Sequence, residues 1–275
     1  MAKMRVHLLK LGTRAPYRML QLEEALMRGD DRNWCITNRG TSPPHIVLGT
    51  GGRPRKLLDV AKCAADGVPL IKRFSGGGTV IVDENTLFVS FVGNSGELSS
   101  GAPRKESPKE VMEWSGGLFA SVFDSLGVDD FALTEHDYVF RGEEGESSQR
   151  KCAGNAQAFS RSRWVHHTSF LWRFDPARMA YLALPEKRPE YRADRAHGDF
   201  LKSLADRGVD SPGAFYAALE DELRATYDVV DVDENDFDAI YAVADERNER
   251  ENHGRRTTRW VDADGAKVDG PPRGQ

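Results

Sequence analysis

Three consecutive glycines, Gly76, Gly77 and Gly78, lie between the basic pair Lys72 and Arg73 and two runs that read as β-strands, in the stretch KRFSGGGTVIVDENTLFVSF. Glycine has no Cβ and tolerates positive φ, so such a loop turns several N–H groups toward one ligand with no side chain in the way. An anion is the ligand this suits. The fork of Arg73 matches a carboxylate or phosphate, and Ser75 offers a further hydrogen-bond donor. An ordinary glycine-rich hairpin accounts for the same residues equally well, because short glycine motifs often arise by chance. The segment is neither a Walker loop, GxxxxGK[ST], nor a GxGxxG dinucleotide fingerprint.

A second cluster follows in RKCAGNAQAF and WVHHTSFLW. In extended chain, Lys151, Ala153, Asn155 and Gln157 share one face; Trp164, His166, Thr168 and Phe170 share a face of the next strand, with His167 opposite. Lys151 can meet the same ligand as the glycine loop, although a solvent-exposed strand lysine is the plainer reading. A histidine acting as general base needs an orienting carboxylate, and the neighbouring sequence has none. Alternation turns Cys152 away from the side of Lys151, which argues against a thiol nucleophile. Asp137 opens a further strand and reads as a turn residue, or as a ligand for a ribose hydroxyl or a metal ion.

These groups need a scaffold. The pattern predicts strands at 4–12, 34–37, 45–48, 69–73, 79–83, 87–92, 137–141, 151–159 and 164–172. Helices are expected at 16–28, 55–65, 110–126 and 212–226, with an amphipathic one over 235–252. The polar stretch 94–109 reads as a surface connection, and GEEGESSQR, after Arg141, as a solvated hairpin extension. After Pro176 the strands are expected to stop. The resulting division is a catalytic unit over 1–230, an amphipathic helix within 231–255 and a weakly ordered tail over 256–275.

Composition narrows the class. A chain of 275 residues with 39% hydrophobic content buries a full core. No run is long enough for a membrane helix, no secretory leader is evident, and the cytosol is the default compartment, with mitochondrion and plastid left open. A formal charge of −5 argues against nucleic acid as the main partner. Cys35, Cys63 and Cys152 have no metal-binding spacing and leave one over, which suits a reducing compartment.

Taken in order, LEEALMR, HIVLG, RFSGGGTVIVD, HDYVF, KCAGNAQ and VHHTSFLW resemble the lipoate–protein ligase catalytic family, from about Met4 to about Tyr227. The GRGRxxR pattern of biotin–protein ligases is missing. The resemblance implies an α+β, class II synthetase-like domain with a mostly antiparallel sheet flanked by helices. It also implies two-step chemistry: lipoate and ATP, with Mg2+, give lipoyl-adenylate, and a lysine of a lipoyl-domain protein, of the 2-oxoacid dehydrogenase E2 or glycine-cleavage H type, then takes the acyl group.

Carried across, Lys151 would contact the carboxylate and α-phosphate as an electrostatic stabiliser. Arg73, Ser75, Gly76, Gly77 and Gly78 would line the carboxyl and phosphate region, with Val80, Ile81 and Asp83 near the adenylate. Asp137 would sit by the nucleotide and metal, Gly154 and Asn155 by the acyl-adenylate, and His167 by the lipoyl tail. Val82 and Thr86 depart from the histidine and asparagine often found there, and His136 replaces an asparagine. The stretch after Tyr227 is too short for the accessory domain many ligases use, which points to a separate accessory chain or to transfer from a preformed acyl donor. A non-catalytic binding protein of this fold is the remaining alternative.

Overall fold

The computed structural model describes residues 3–97, 106–142, 149–183 and 189–271. In chain order these form β1 (Arg5–Thr13), α1 (Pro16–Gly29), β2 (Trp34–Arg39), β3 (His45–Leu48), α2 (Pro54–Leu57), α3 (Val60–Ala65), β4 (Leu70–Lys72), β5 (Gly76–Gly77), β6 (Val80–Val82) and β7 (Thr86–Asn94). There follow α4 (Pro108–Ser125), β8 (Phe131–Thr134), β9 (Asp137–Phe140), β10 (Arg150–Lys151), β11 (Ala153–Phe159) and β12 (Arg163–Leu171). The remainder comprises α5 (Pro176–Met179), α6 (His197–Phe200), α7 (Pro212–Thr226), β13 (Asp228–Val232), α8 (Phe237–Asn252), β14 (Arg259–Val261) and β15 (Lys267–Val268).

A seven-stranded sheet in the order β13-β1-β2-β7-β12-β11-β5 runs through the middle. Its pairs are antiparallel except β1 with β13 and with β2. Both faces are covered, so β7 and β12 are buried almost end to end. On one face Phe119, Phe123 and Phe215, from α4 and α7, pack with Phe170 and Tyr138. On the other, Leu22, Leu26 and Ala244, from α1 and α8, pack with Phe88 and Val165. A five-stranded sheet, β15-β14-β4-β3-β6, and a three-stranded one, β10-β9-β8, flank it.

Local chemistry sets the boundaries. Ser107 and Glu110 form a reciprocal capping box, which starts α4 at Pro108, earlier than periodicity alone indicates. The helix expected over 55–65 is broken, because Leu58 is extended and bridges Leu182 while the Asp59 carboxylate accepts the Lys62 N–H and opens a new helix.

Strands do not stop at Pro176. β13 falls across the expected boundary at residue 230 and pairs with β1, from Arg5↔Asp228 to Leu9↔Val232. Nor is residue 256 the start of a loose tail. Glu24, buried, accepts the N–H groups of Thr257 and Thr258, each at 2.8 Å, and Trp260 stacks on Tyr17 with centroids 4.5 Å apart. The strand β14 thereby adds to β4. Residues 143–148 of the expected hairpin extension and 98–105 of the expected surface connection lie outside the described residues, and Arg150, at the end of the extension, belongs to β10. No helix among the described residues is long and apolar enough to cross a membrane.

Candidate active site

The glycine turn is hydrogen-bonded to the strand that follows the lysine. In β5, Gly77 pairs with Ala156 and Gly76 with Gln157 of β11. Gly77 has φ +118°, and a Cβ there would lie 2.6 Å from the Asn155 carbonyl oxygen and 2.8 Å from Arg73 Nη2, so only glycine fits. Gly154 is less strictly constrained on the neighbouring strand, where a Cβ would meet the Val80 Cγ1 side-chain atom at 2.8 Å. At Gly77 the turn lies directly against the β11 backbone, and at Gly154 the Val80 side chain fills the space a Cβ would need. Beyond them opens a cavity of about 420 Å³, lined on this side by Gly77, Gly78, Val80, Ile81, Ala153 and Gly154.

Lys151 and Asp137 line the same cavity. Lys151 Nζ donates to Asp137 Oδ1 at 2.5 Å, and the Tyr191 hydroxyl donates to Asp137 Oδ2 at 2.9 Å. Burial and the Asp137 carboxylate push the Tyr191 phenol well above its ordinary range, so it stays a donor. The single strand expected over 151–159 is interrupted at Cys152: Lys151 belongs to β10, in the three-stranded sheet, and Ala153 to β11. The break upsets alternation, and Ala153 and Gly154 both reach the cavity.

Other expected site residues lie elsewhere. Arg73 is buried at 3% exposure and its fork is occupied by backbone: Nη1 donates to Val47 O at 3.3 Å, and Nη2 to Gly76 O at 3.3 Å and Gly78 O at 2.7 Å. It holds the glycine turn's carbonyls and borders a small void beside the large cavity, which it does not line. Burial pulls its pKa down to about 10. Ser75 is also buried, with Gly76 beside it, and neither lines the large cavity. Asp83 pairs with Arg178 of α5 and accepts the Asn85 N–H at 2.9 Å, which closes the β6–β7 turn.

Asn155 and His167 border a second, small void of about 10 Å³ that shares Val80, Gly154 and Ser169 with the large cavity. The carboxylate that the sequence around the histidines lacks arrives from α1. Glu23, fully buried, has Oε1 2.9 Å from His167 Nδ1 and accepts a 2.5 Å bond from Ser90 Oγ, while its Oε2 has no hydrogen-bond partner. The acceptor oxygen assigns the ring proton to Nδ1. His166, on the opposite face as alternation requires, lies 3.1 Å from the Tyr138 hydroxyl, and burial first, then His167, hold its pKa down to about 3.

Sequence reasoning missed the far wall. Tyr191, Arg192 and His197 come from short turns after Pro189, and Arg192 and His197 line the cavity with Thr86, Met179 and Leu182. The only signal was a density of arginine and histidine without periodicity.

All three cysteines are free and buried, and none lines the cavity. Burial raises the Cys152 thiol well above its usual range, so it is a poor thiolate. Among the described residues no three His, Cys, Asp or Glu side chains gather as for a metal ion, and both oxygens of Asp137 are engaged. A resident metal does not fit this donor set.

A family model described as the lipoyl protein ligase A/B catalytic domain matches residues 15–223, and the chain belongs to that family. A Plasmodium falciparum protein named inactive lipoate–protein ligase 2 is 30% identical over 197 residues, which is 62% of this chain and 50% of that protein. The chain spans half or less of the length of the curated relatives it matches. Among solved structures, an archaeal bi-partite lipoate protein ligase from Thermoplasma acidophilum, reported with its E2 lipoyl domain, aligns with a TM-score of 0.68 at 18% identity, over 94% of this chain and 99% of that one. A lipoate-protein ligase A bound with ATP aligns with a TM-score of 0.64 at 16% identity, over 87% and 93%. The α+β architecture expected from the resemblance is the one observed.

Proposed function

We propose that this chain is a lipoate–protein ligase. The lipoate carboxylate attacks the α-phosphorus of MgATP, the bond to the β-phosphate oxygen breaks, and pyrophosphate leaves with the electron pair. The unprotonated ε-amine of a lysine on a lipoyl domain then attacks the carbonyl of the mixed anhydride, AMP departs with the anhydride electrons, and the amine proton passes to solvent.

One observation carries the reading: the glycine edge Gly77–Gly78 and Lys151 line a single cavity, with Gly154 also on its wall. Bringing a carboxylate to a phosphate requires positive potential, and fixed N–H groups with a lysine supply it without reorganisation. An ammonium has three N–H donors, and Asp137 takes one of those of Lys151, which leaves two for the ligand. Losing one such donor costs about 3 kcal/mol of transition-state stabilisation. Arg73 acts indirectly here, by holding the carbonyls of Gly76 and Gly78. The lipoyl tail is assigned to the small void beside His167, which must widen to admit it.

Lipoate-dependent ATP–pyrophosphate exchange, followed by label transfer to a lipoyl domain, tests the reading. Exchange and transfer are expected; neither occurring contradicts it. A second reading has the chain transferring from preformed lipoyl-adenylate without activating lipoate, or activating it only with a separate chain. It is favoured by the engaged Asp137 oxygens, and by the curated relative named inactive. Transfer from synthetic lipoyl-adenylate without exchange would select it. Thioester chemistry is disfavoured, because the described cavity walls carry no thiol.

A further inference from the structure

The small void beside His167 holds about 10 Å³, room for about one water molecule, so its walls must move before an acyl tail enters. Most of those walls are sheet. Val47 and Val80 are cross-strand partners of β3 and β6, and Phe88 and His167 lie in β7 and β12, each laddered on both sides. Besides Arg73, tied to three carbonyls, the exception is α1, which contributes Pro16 and Leu20 from its first turns. Widening therefore falls to the start of this helix. Its far end is locked, because a Cβ on Gly29 would lie 1.9 Å from the Ala244 carbonyl oxygen of α8. The start is held by side chains. Arg14 and Arg18 lie over the Phe237 ring of α8 at 4.1 and 5.4 Å, and Arg18 also bridges Asp238 across exposed surface, a weak restraint. Next to Pro16, Tyr17 stacks on Trp260 with the rings 24° from parallel, and His45 lies 5.8 Å from the same indole. Trp260 is fixed in turn, since β14 is laddered on β4 with Trp260 opposite Ile71, and Glu24 accepts the N–H groups of Thr257 and Thr258. This strand lies beyond residues 15–223, which the family model matches.

We infer that Trp260 is a positioning residue for acyl-chain length: by holding the first turn of α1 it sets how far the void beside His167 opens, and so which acyl tail the site accepts. This role rests on the ligase reading above and on its placement of the tail in this void. A pocket closed around one chain rejects a further methylene about tenfold or better, so the position of the helix wall is expressed directly as a length limit. Without the stack the first turn can retreat. Longer tails then fit, and the limit blurs.

The test is calorimetric titration of the full chain with non-hydrolysable acyl-adenylates whose straight tails lengthen by single methylenes, as wild type, Trp260→Ala, Trp260→Phe and Asp264→Asn. Thermal melts accompany each to confirm folding. Asp264, in the turn after β14, pairs with Arg55 rather than with α1 and serves as the control. Wild type is expected to bind up to a limiting length and to reject the next methylene about tenfold. In Trp260→Ala that step should shrink to less than about threefold, while affinity for the shortest tail stays within about twofold. Trp260→Phe, which keeps a ring for Tyr17, and Asp264→Asn should retain the step. A wild type with no limiting length, an unchanged step in Trp260→Ala, or an equal loss for every tail overturns the role of Trp260 and leaves the ligase reading standing. A wild type that binds none of these adenylates removes both. If Trp260→Ala does not fold, Tyr17→Leu, which ends the stack from the helix side, decides by the same readings.

Discussion

The two walls of the cavity are built by different physics. The glycine wall is built on main chain: β5 is laddered on β11, and the Arg73 side chain holds the turn's carbonyls. The wall formed after Pro189 is side chain: Tyr191 on Asp137, Asp137 on Lys151, Arg192 over Phe200. The first has its backbone fixed by the sheet. The second is held by these side-chain contacts and by a short main-chain bridge at Lys151, so it is the part expected to respond to ligand.

The largest effect should come where the walls meet. Lys151→Ala should lower acyl transfer at least about a hundredfold and leave the fold intact, as read by turnover alongside near-ultraviolet circular dichroism. Normal turnover in the variant would remove Lys151 from the chemistry. On the rigid wall, Gly77→Ala forces a Cβ into the Asn155 carbonyl at positive φ and should cost about 1–3 kcal/mol in denaturant melts. Gly78→Ala, where a Cβ meets nothing within 4 Å, is the control and should stay within about 0.5 kcal/mol. Equal losses at both positions would deny the distinction.

Behind that wall, His166 refuses a proton until about pH 3, whereas the unfolded chain binds one near 6.5. Between those values the unfolded state holds the extra proton, so stability falls as pH falls, by about 1.4 kcal/mol per unit from this residue. Above pH 6.5 the effect vanishes. His166→Gln should flatten the slope in pH-dependent melts, and an unaltered slope would show the imidazole to be freely titrating. On the responsive wall, Tyr191→Phe removes one bond to Asp137 and should cost only about 1 kcal/mol, with a modest rise in the nucleotide KM. A fall in stability as large as that of Gly77→Ala would mean the second wall is as rigid as the first.

The contrast also explains what the sequence disclosed. The glycine wall was legible because its constraints are local in type: SGGG, GNAQ and alternating strands each announce a backbone requirement. Arg73 was found, but its bonds to the turn's own carbonyls were not, since a guanidinium before a glycine turn reads the same whether it faces a ligand or the turn. Glu23, which meets His167 from α1, was invisible because helical periodicity marks a buried position without naming its partner. The helix break at Asp59 and the β14 strand were missed for a related reason: one capping carboxylate and one stacked tryptophan, Trp260, decide them. Arg192 and His197 sit in turns with no repeat, where only tertiary contacts fix position.

The most direct measurement is a crystal structure of the chain with a non-hydrolysable lipoyl-adenylate. The account predicts the phosphoryl group between the Gly77–Gly78 backbone and Lys151 Nζ, within hydrogen-bond distance of both, and the acyl tail directed past Gly154 toward His167. A phosphoryl group bound away from either the glycine edge or Lys151 would contradict it.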